Sequence, residues 1–233
     1  LREPATLARL LEEGPDAAFG AAMDLAAAPG PGVPRAQLGE TLRTAKRQAA
    51  LAVGVADVAG LWPLERVTGA LSAFADAALQ AAVSQLLREA HERGEVRLRS
   101  PDDPTRGCGL IVLGMGKLGA RELNYSSDID LVVLFEPEAG AYHGDNPLAF
   151  FVRIARDLVR LMEERTAGGY VFRTDLRLRP DPAATPLAVS VEAALTYYGA
   201  LGQNWERAAM IKARPVAGDR AAGLSFLAAL RPF

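Results

Sequence analysis

The sequence predicts an α+β fold, a helical N-terminal region followed by a unit that contains a sheet and its own helices. Two observations carry that prediction. Residues 1 to about 100 are rich in Ala and Leu, with apolar side chains at helical spacing. After the turn-rich stretch Ser100-Pro101-Asp102-Asp103-Pro104 the apolar period changes from about 3.6 to 2. The boundary therefore falls between a helical region at 1–104 and a second unit at 105–233.

Helix-period stretches lie near 3–13, 16–28, 35–58 and 63–93, separated by Gly14-Pro15, by the cluster Pro29-Gly30-Pro31-Gly32 and by Trp62-Pro63. In the last of them Leu64, Val67, Leu71, Phe74, Ala78, Val83 and Leu86 form the stripe of a helix packed on a neighbour. No chemistry is visible in this region. In the second unit, Leu110–Leu113, closed by Gly114, and Ile129–Phe135 read as strands. Residues 148–165 place Phe151, Ile154, Leu158, Leu161 and Met162 on one helical face, and Gly168-Gly169 ends that helix. Tyr170–Arg179 alternates like a strand until Pro180-Asp181-Pro182 breaks it. Ser190 is an N-cap for a helix over 191–199, and a charged helix carrying Trp205, Glu206, Arg207, Lys212 and Arg214 is expected over 203–214.

Composition excludes several classes. Of 233 residues half are hydrophobic, and the 26 basic and 28 acidic side chains leave a net charge of -2, so general attraction to nucleic acid or membrane is not expected. One cysteine, Cys108, rules out an internal disulfide framework, and two histidines leave little for a Cys/His zinc site. No run of about 18 apolar residues is free of charge, Gly or Pro, and LREPATLARLLEEGPD lacks a signal-peptide pattern. A cytoplasmic location is expected, so the formal glycosylation match at Asn124-Tyr125-Ser126 carries no weight.

The chemistry gathers in the second unit. Strand residues i and i+2 share a face, so Asp128 and Asp130 project side by side at the start of IDLVVLF. The alternation from Tyr170 puts Arg173, Asp175, Arg177 and Arg179 on one face, with Phe172, Thr174, Leu176 and Leu178 on the other. If the two strands are neighbours, three carboxylates converge beside several arginines. Oxygen ligands of that kind suit Mg²⁺, or Mn²⁺, bound together with substrate phosphate oxygens. Solvated strand-end aspartates paired with arginines would give the same alternation.

Gly114-Met115-Gly116-Lys117-Leu118-Gly119 follows a strand and matches the glycine pattern of a dinucleotide site, with Glu136 near the spacing of a ribose-binding acid. The crossover is too short for that fold, because residues 117–128 include Asn124, Ser126, Ser127 and Asp128 and leave room for about two helical turns. A P-loop is excluded because Leu118 follows Lys117 where Ser or Thr is required. What remains is either a tight turn or a loop whose backbone N–H groups approach phosphates. In the second case Lys117 supplies a point charge and Ser126 and Ser127 supply hydroxyls.

Together, GMGKLGARELNYSSDIDLVVLF, FRTDLRLRPDPAATPLAVS and QNWERAAMIKARPVAGD resemble the glutamine synthetase adenylyltransferase/adenylyl-removing enzyme family, over about residues 107–219. That family is similar to the nucleotidyltransferases of the DNA polymerase beta superfamily, which implies a mixed β-sheet with flanking helices. The resemblance implies catalytic and metal-binding roles for Asp128, Asp130 and Asp175, and nucleotide or phosphate contacts at Gly114, Gly116, Lys117, Ser126, Ser127, Arg177 and Arg179. Lys117 stands where the superfamily often has Ser. Members carry two catalytic units, one removing AMP from a tyrosine of glutamine synthetase by phosphorolysis to release ADP, the other adding AMP from ATP. RELNYSSDID and WERAAMIKAR are more similar to the adenylyl-removing unit. The implied partners are glutamine synthetase, the PII signal protein, ATP or ADP, and phosphate. The adenylylating half and a nucleotide-sensing module without turnover are the alternatives.

Overall fold

The computed structural model describes residues 3–139 and 141–230. Four helices come first: α1 (Pro4–Glu13), α2 (Pro15–Ala27), α3 (Arg35–Val58) and α4 (Leu64–Glu92). Proline opens α1 and α2, where its missing N–H would have had no helical partner. Gly14 joins them at a φ of 87°, a conformation open to glycine and strained for other residues.

The second unit runs β1 (Leu110–Gly114), α5 (Gly116–Gly119), β2 (Ile129–Phe135), α6 (Pro147–Glu163), β3 (Thr174–Asp175), β4 (Ala188–Ser190), α7 (Val191–Ala200), α8 (Asn204–Met210), β5 (Arg214–Gly218) and α9 (Arg220–Leu230). The sheet order is β3-β2-β1-β5, with β4 also paired to β2. β1 is antiparallel to β2 and β5, whereas β3 and β4 run parallel to β2. The sheet is therefore mixed, as the α+β reading with flanking helices requires.

Side-chain alternation sorts the two faces of this sheet. Leu110 and Val112 of β1 and Ile129, Leu131 and Val133 of β2 join one core with Leu38 and Leu42 of α3, Phe74 and Leu86 of α4, and Phe151 and Leu158 of α6. Ile111, Leu113, Val132 and Leu134 face the other way, onto Tyr198 of α7 and Phe226 of α9. The first core is continuous from the helical region into the sheet. Among the described residues α4 alone is long and apolar enough to cross a membrane, but 67% of its 18-residue apolar window is buried inside the protein.

Three expectations change. Tyr170–Arg179 pairs as a strand only at Thr174–Asp175, because the chain turns from Arg177 onward and carries Leu178 over to the second core. The helix expected over 203–214 ends at Met210, and Arg214 instead begins strand β5, so Lys212 and Arg214 are not helical. Within α8, Glu206 is buried by its capping role and Trp205 is 54% exposed. The crossover after β1 holds one turn of helix, shorter than the two turns for which the sequence leaves room.

Candidate active site

Parallel pairing of β2 with β3 sets Ile129 opposite Thr174 and Asp130 opposite Asp175. Paired residues of neighbouring strands share a face, so Asp130 and Asp175 project together, and Asp128 lies on the same side two residues earlier. Buried neighbours fix this register. Ile129, Phe172 and Leu176 point into the first core, leaving the intervening acids on the opposite face. Glu163, at the end of α6, accepts from both the N–H and the hydroxyl of Thr174, at 2.9 and 2.7 Å, and so anchors β3.

The three carboxylates have different electrostatic surroundings. Arg173 donates through Nε to Asp128 Oδ1 at 2.5 Å, and its other nitrogens reach the Ser126 carbonyl and the Tyr170 hydroxyl. Arg177 forks onto Asp175, with Nε 3.0 and 2.9 Å from the two oxygens and Nη2 2.5 Å from Oδ2, while its backbone N–H donates to Oδ1 at 2.8 Å. These bonds hold the Asp175 carboxyl below its ordinary range. Among the described residues the Asp130 carboxylate has no hydrogen bond or ion pair. Desolvation pushes it up, and the Asp175 and Asp128 charges push it further, against the weaker pull of Arg177 and Lys117.

The glycine turn lies against that carboxylate. Gly116 has a φ of 51°, and a Cβ built there would sit 2.8 Å from Asp130 Oδ2. The Met115 N–H donates to the Asp130 carbonyl at 2.9 Å, tying the turn to β2 through the backbone as well. Gly114 closes β1 beside Val216 and Leu118, so a side chain there would clash with hydrocarbon. Lys117 is exposed on α5, near enough to Asp130 to favour its charged form.

Other expected site residues are engaged elsewhere. Ser127 donates its hydroxyl to Asn124 at 2.5 Å, and Ser126 is exposed with its carbonyl bonded to Arg173. Arg179 turns from the acidic face and donates to the carbonyls of Leu176, Pro182 and Thr185, holding the loop after β3. The structure thus gathers Asp128, Asp130, Asp175, Gly116, Lys117 and Arg177, and separates Arg179 from them. Arg173 is a site residue that sequence reasoning placed on the right face without assigning it a role. Its spacing of two from Asp175 was the available signal.

Among the described residues no three carboxylate, thiolate or imidazole groups are arranged around a common point for a metal ion. Asp128 and Asp175 are turned onto guanidinium groups instead. The donor chemistry nevertheless fits a hard divalent cation: all three groups are carboxylates, and the half-buried one is raised by desolvation and then by the charges of the other two.

The family description Glutamate-ammonia ligase adenylyltransferase matches residues 1–229. The chain is similar to the Bifunctional glutamine synthetase adenylyltransferase/adenylyl-removing enzyme of Agrobacterium fabrum, with 60% identity over 195 residues, covering 82% of this chain and 20% of that protein. The protein of the same name from Rhizobium meliloti is 54% identical over 207 residues, covering 88% of this chain and 21% of its own length. That of Bradyrhizobium diazoefficiens is 49% identical over 233 residues, covering 99% and 23%. The chain spans about a fifth of the length of these curated relatives. From the extent of the family match and these identities, the chain belongs to the glutamate-ammonia ligase adenylyltransferase family.

Proposed function

We propose that this chain is the adenylyl-removing unit of its family, a metal-dependent nucleotidyltransferase that phosphorolyses adenylyl-tyrosine on glutamine synthetase. The observation that carries the reading is the Asp130–Asp175 register pair, with Asp128 on the same face and the glycine turn in contact with Asp130. Relatives named for both adenylyl transfer and adenylyl removal support a glutamine synthetase substrate. The choice of direction rests on the likeness of RELNYSSDID and WERAAMIKAR to the removing unit.

In this reaction an oxygen of hydrogen phosphate bonds to the adenylyl phosphorus as the bond from phosphorus to the tyrosine oxygen breaks. ADP leaves, and the proton of hydrogen phosphate balances the tyrosine hydroxyl. Asp128, Asp130 and Asp175 would hold Mg²⁺ or Mn²⁺, which when bound supplies positive charge at the nonbridging and leaving oxygens. Arg177 would release Asp175 and turn its fork onto a phosphate oxygen, which its 84% exposed side chain leaves room to do. Lys117 provides a second, mobile charge on the glycine turn. The Gly116 backbone keeps the space beside Asp130 open, where any side chain would press on Oδ2.

The test is ADP release from adenylylated glutamine synthetase with phosphate and Mg²⁺, with and without uridylylated PII. A parallel reaction offers ATP and unmodified synthetase. Phosphate-dependent ADP with no labelling in the parallel reaction is the expected result. Labelling without ADP release assigns the chain to the adenylylating half, and silence in both leaves either a piece that needs the rest of its longer chain for activity or a nucleotide-sensing module.

A further inference from the structure

We propose that Arg214, held by Asp76, is a positioning residue for the glycine turn, and that this pair couples the helical region to the carboxylate site. The inference rests on the reading of that site as a nucleotidyltransferase centre. Arg214 opens β5 opposite Gly114. Its Nη1 donates to Asp76 Oδ2 at 2.5 Å and its Nη2 to Oδ1 at 3.1 Å, a two-pronged pair whose side chains are 20% and 16% exposed. The same guanidinium reaches the Leu118 carbonyl at 3.0 Å and the Gly119 carbonyl at 3.3 Å. These are last-turn carbonyls of α5; that of Leu118 also accepts the Arg121 N–H at 3.2 Å, so Arg214 adds a side-chain clamp to the turn that closes this four-residue helix.

The turn is thereby fixed at both ends. At its start, Gly116 lies beside the Asp130 carboxylate with no room for a Cβ between them, and the Met115 N–H donates to the Asp130 carbonyl. At its end, Gly119 lies so close to the Lys212 carbonyl that a Cβ would sit 2.0 Å from it, with Arg214 gripping the carbonyls beside it. Lys117 rides between the two anchors. A shift of Arg214 is therefore passed to Lys117 and to the wall of Asp130. Asp76, on α4 between the buried Ala75 and Ala78, has a side chain only 16% exposed, where a carboxylate is costly to hold without a partner. A lysine at 214 could not span four acceptors, because it lacks the planar fork.

Arg35 supplies the control. It pairs with Glu89 and Asp157 at a comparable depth, its side chain 34% exposed, and joins α3 to α4 and α6 without touching the turn. Amide hydrogen exchange at residues 115–120 reads the turn whichever direction of transfer the protein catalyses. Asp76→Asn, Arg214→Lys and the double variant Asp76→Asn/Arg214→Gln, which strands no charge, are expected to speed that exchange about tenfold or more. They are expected to lower kcat roughly 10²-fold in whichever reaction the wild type performs, as loss of positioning does. Arg35→Gln is expected to lower Tm similarly while leaving both readouts unchanged. Exchange at 115–120 that stays at the wild-type rate in the Arg214 and Asp76 variants overturns the proposal, as does unaltered kcat below Tm. A wild type inactive in both directions bears on the functional reading alone, while the exchange rates still decide whether Arg214 holds the turn.

Discussion

Strand β2 has two different neighbours. Against β1 it pairs over five residues, Leu110 to Gly114 with Phe135 to Leu131, and every side chain on both faces is buried hydrocarbon. Against β3 it pairs over two residues, and the paired side chains include two carboxylates. The first pairing removes apolar area from water and stabilises the fold. The second brings like charges together at the rim of the sheet, where Arg173 and Arg177 pair with Asp128 and Asp175 while Asp130 has no partner among the described residues. One strand thus serves stability along most of its length and gathers carboxylates at its first residues, where the proposed chemistry would take place.

Substitutions at the two ends should separate these roles, and the largest effect is expected at the acidic end. Asp130→Asn should lower turnover about 10³-fold, the upper range for removing one preorganised electrostatic group, with circular dichroism unchanged. Wild-type turnover in that variant would break the comparison. At the apolar end, Leu131→Ala should cost about 2–5 kcal/mol of stability by denaturant titration and leave kcat unaltered below the transition. Gly116→Ala combines both effects: its Cβ would press on Asp130 and its φ of 51° is unfavourable. We expect about 1–2 kcal/mol lost and a fall in kcat, with KM for phosphate rising less.

The pH predictions are smaller. The Asp130 carboxyl is raised, so its charged form opposes folding, and the opposition grows as pH rises through the folded pKa. Asp130→Asn should therefore have a higher Tm than wild type at pH 7, an advantage that vanishes below about pH 4, where the unfolded carboxyl is also protonated. Asp175 has the opposite sign. It is depressed by Arg177, so its contribution is present above the unfolded pKa and is lost as pH falls through the folded one. Arg177→Gln removes that support and one of the charges that lower Asp130, so the acid limb of the pH–rate profile should move to higher pH. An unmoved limb would mean that Asp130 does not set it.

Most of this arrangement was legible in the sequence where hydrocarbon was periodic. The four N-terminal helices, β1, β2 and α6 follow apolar spacing that burial then enforces, and Ser190 caps the helix that follows it. The acidic face was legible from the i, i+2 spacing of Asp128 and Asp130. The short strands β4 and β5 were not, since β4 has three residues and β5, Arg214 to Gly218, carries a charge and Pro215 at its start and only Val216 and Ala217 as apolar residues. Lys212 and Arg214 looked helical by continuation from α8. The departure of Arg179 was hidden for another reason: its partners are backbone carbonyls, which carry no residue-type signal. Neither could spacing bring Asp76 to Arg214, 138 positions apart.

The central claim is that the three carboxylates form one cation-demanding site. It is tested most directly by titrating the protein with Mn²⁺, following free Mn²⁺ by electron paramagnetic resonance, in the wild type and in Asp130→Asn. We predict Mn²⁺ binding by the wild type that Mg²⁺ competes away, and at least tenfold weaker binding by the variant. Equal binding by the two proteins would contradict the account.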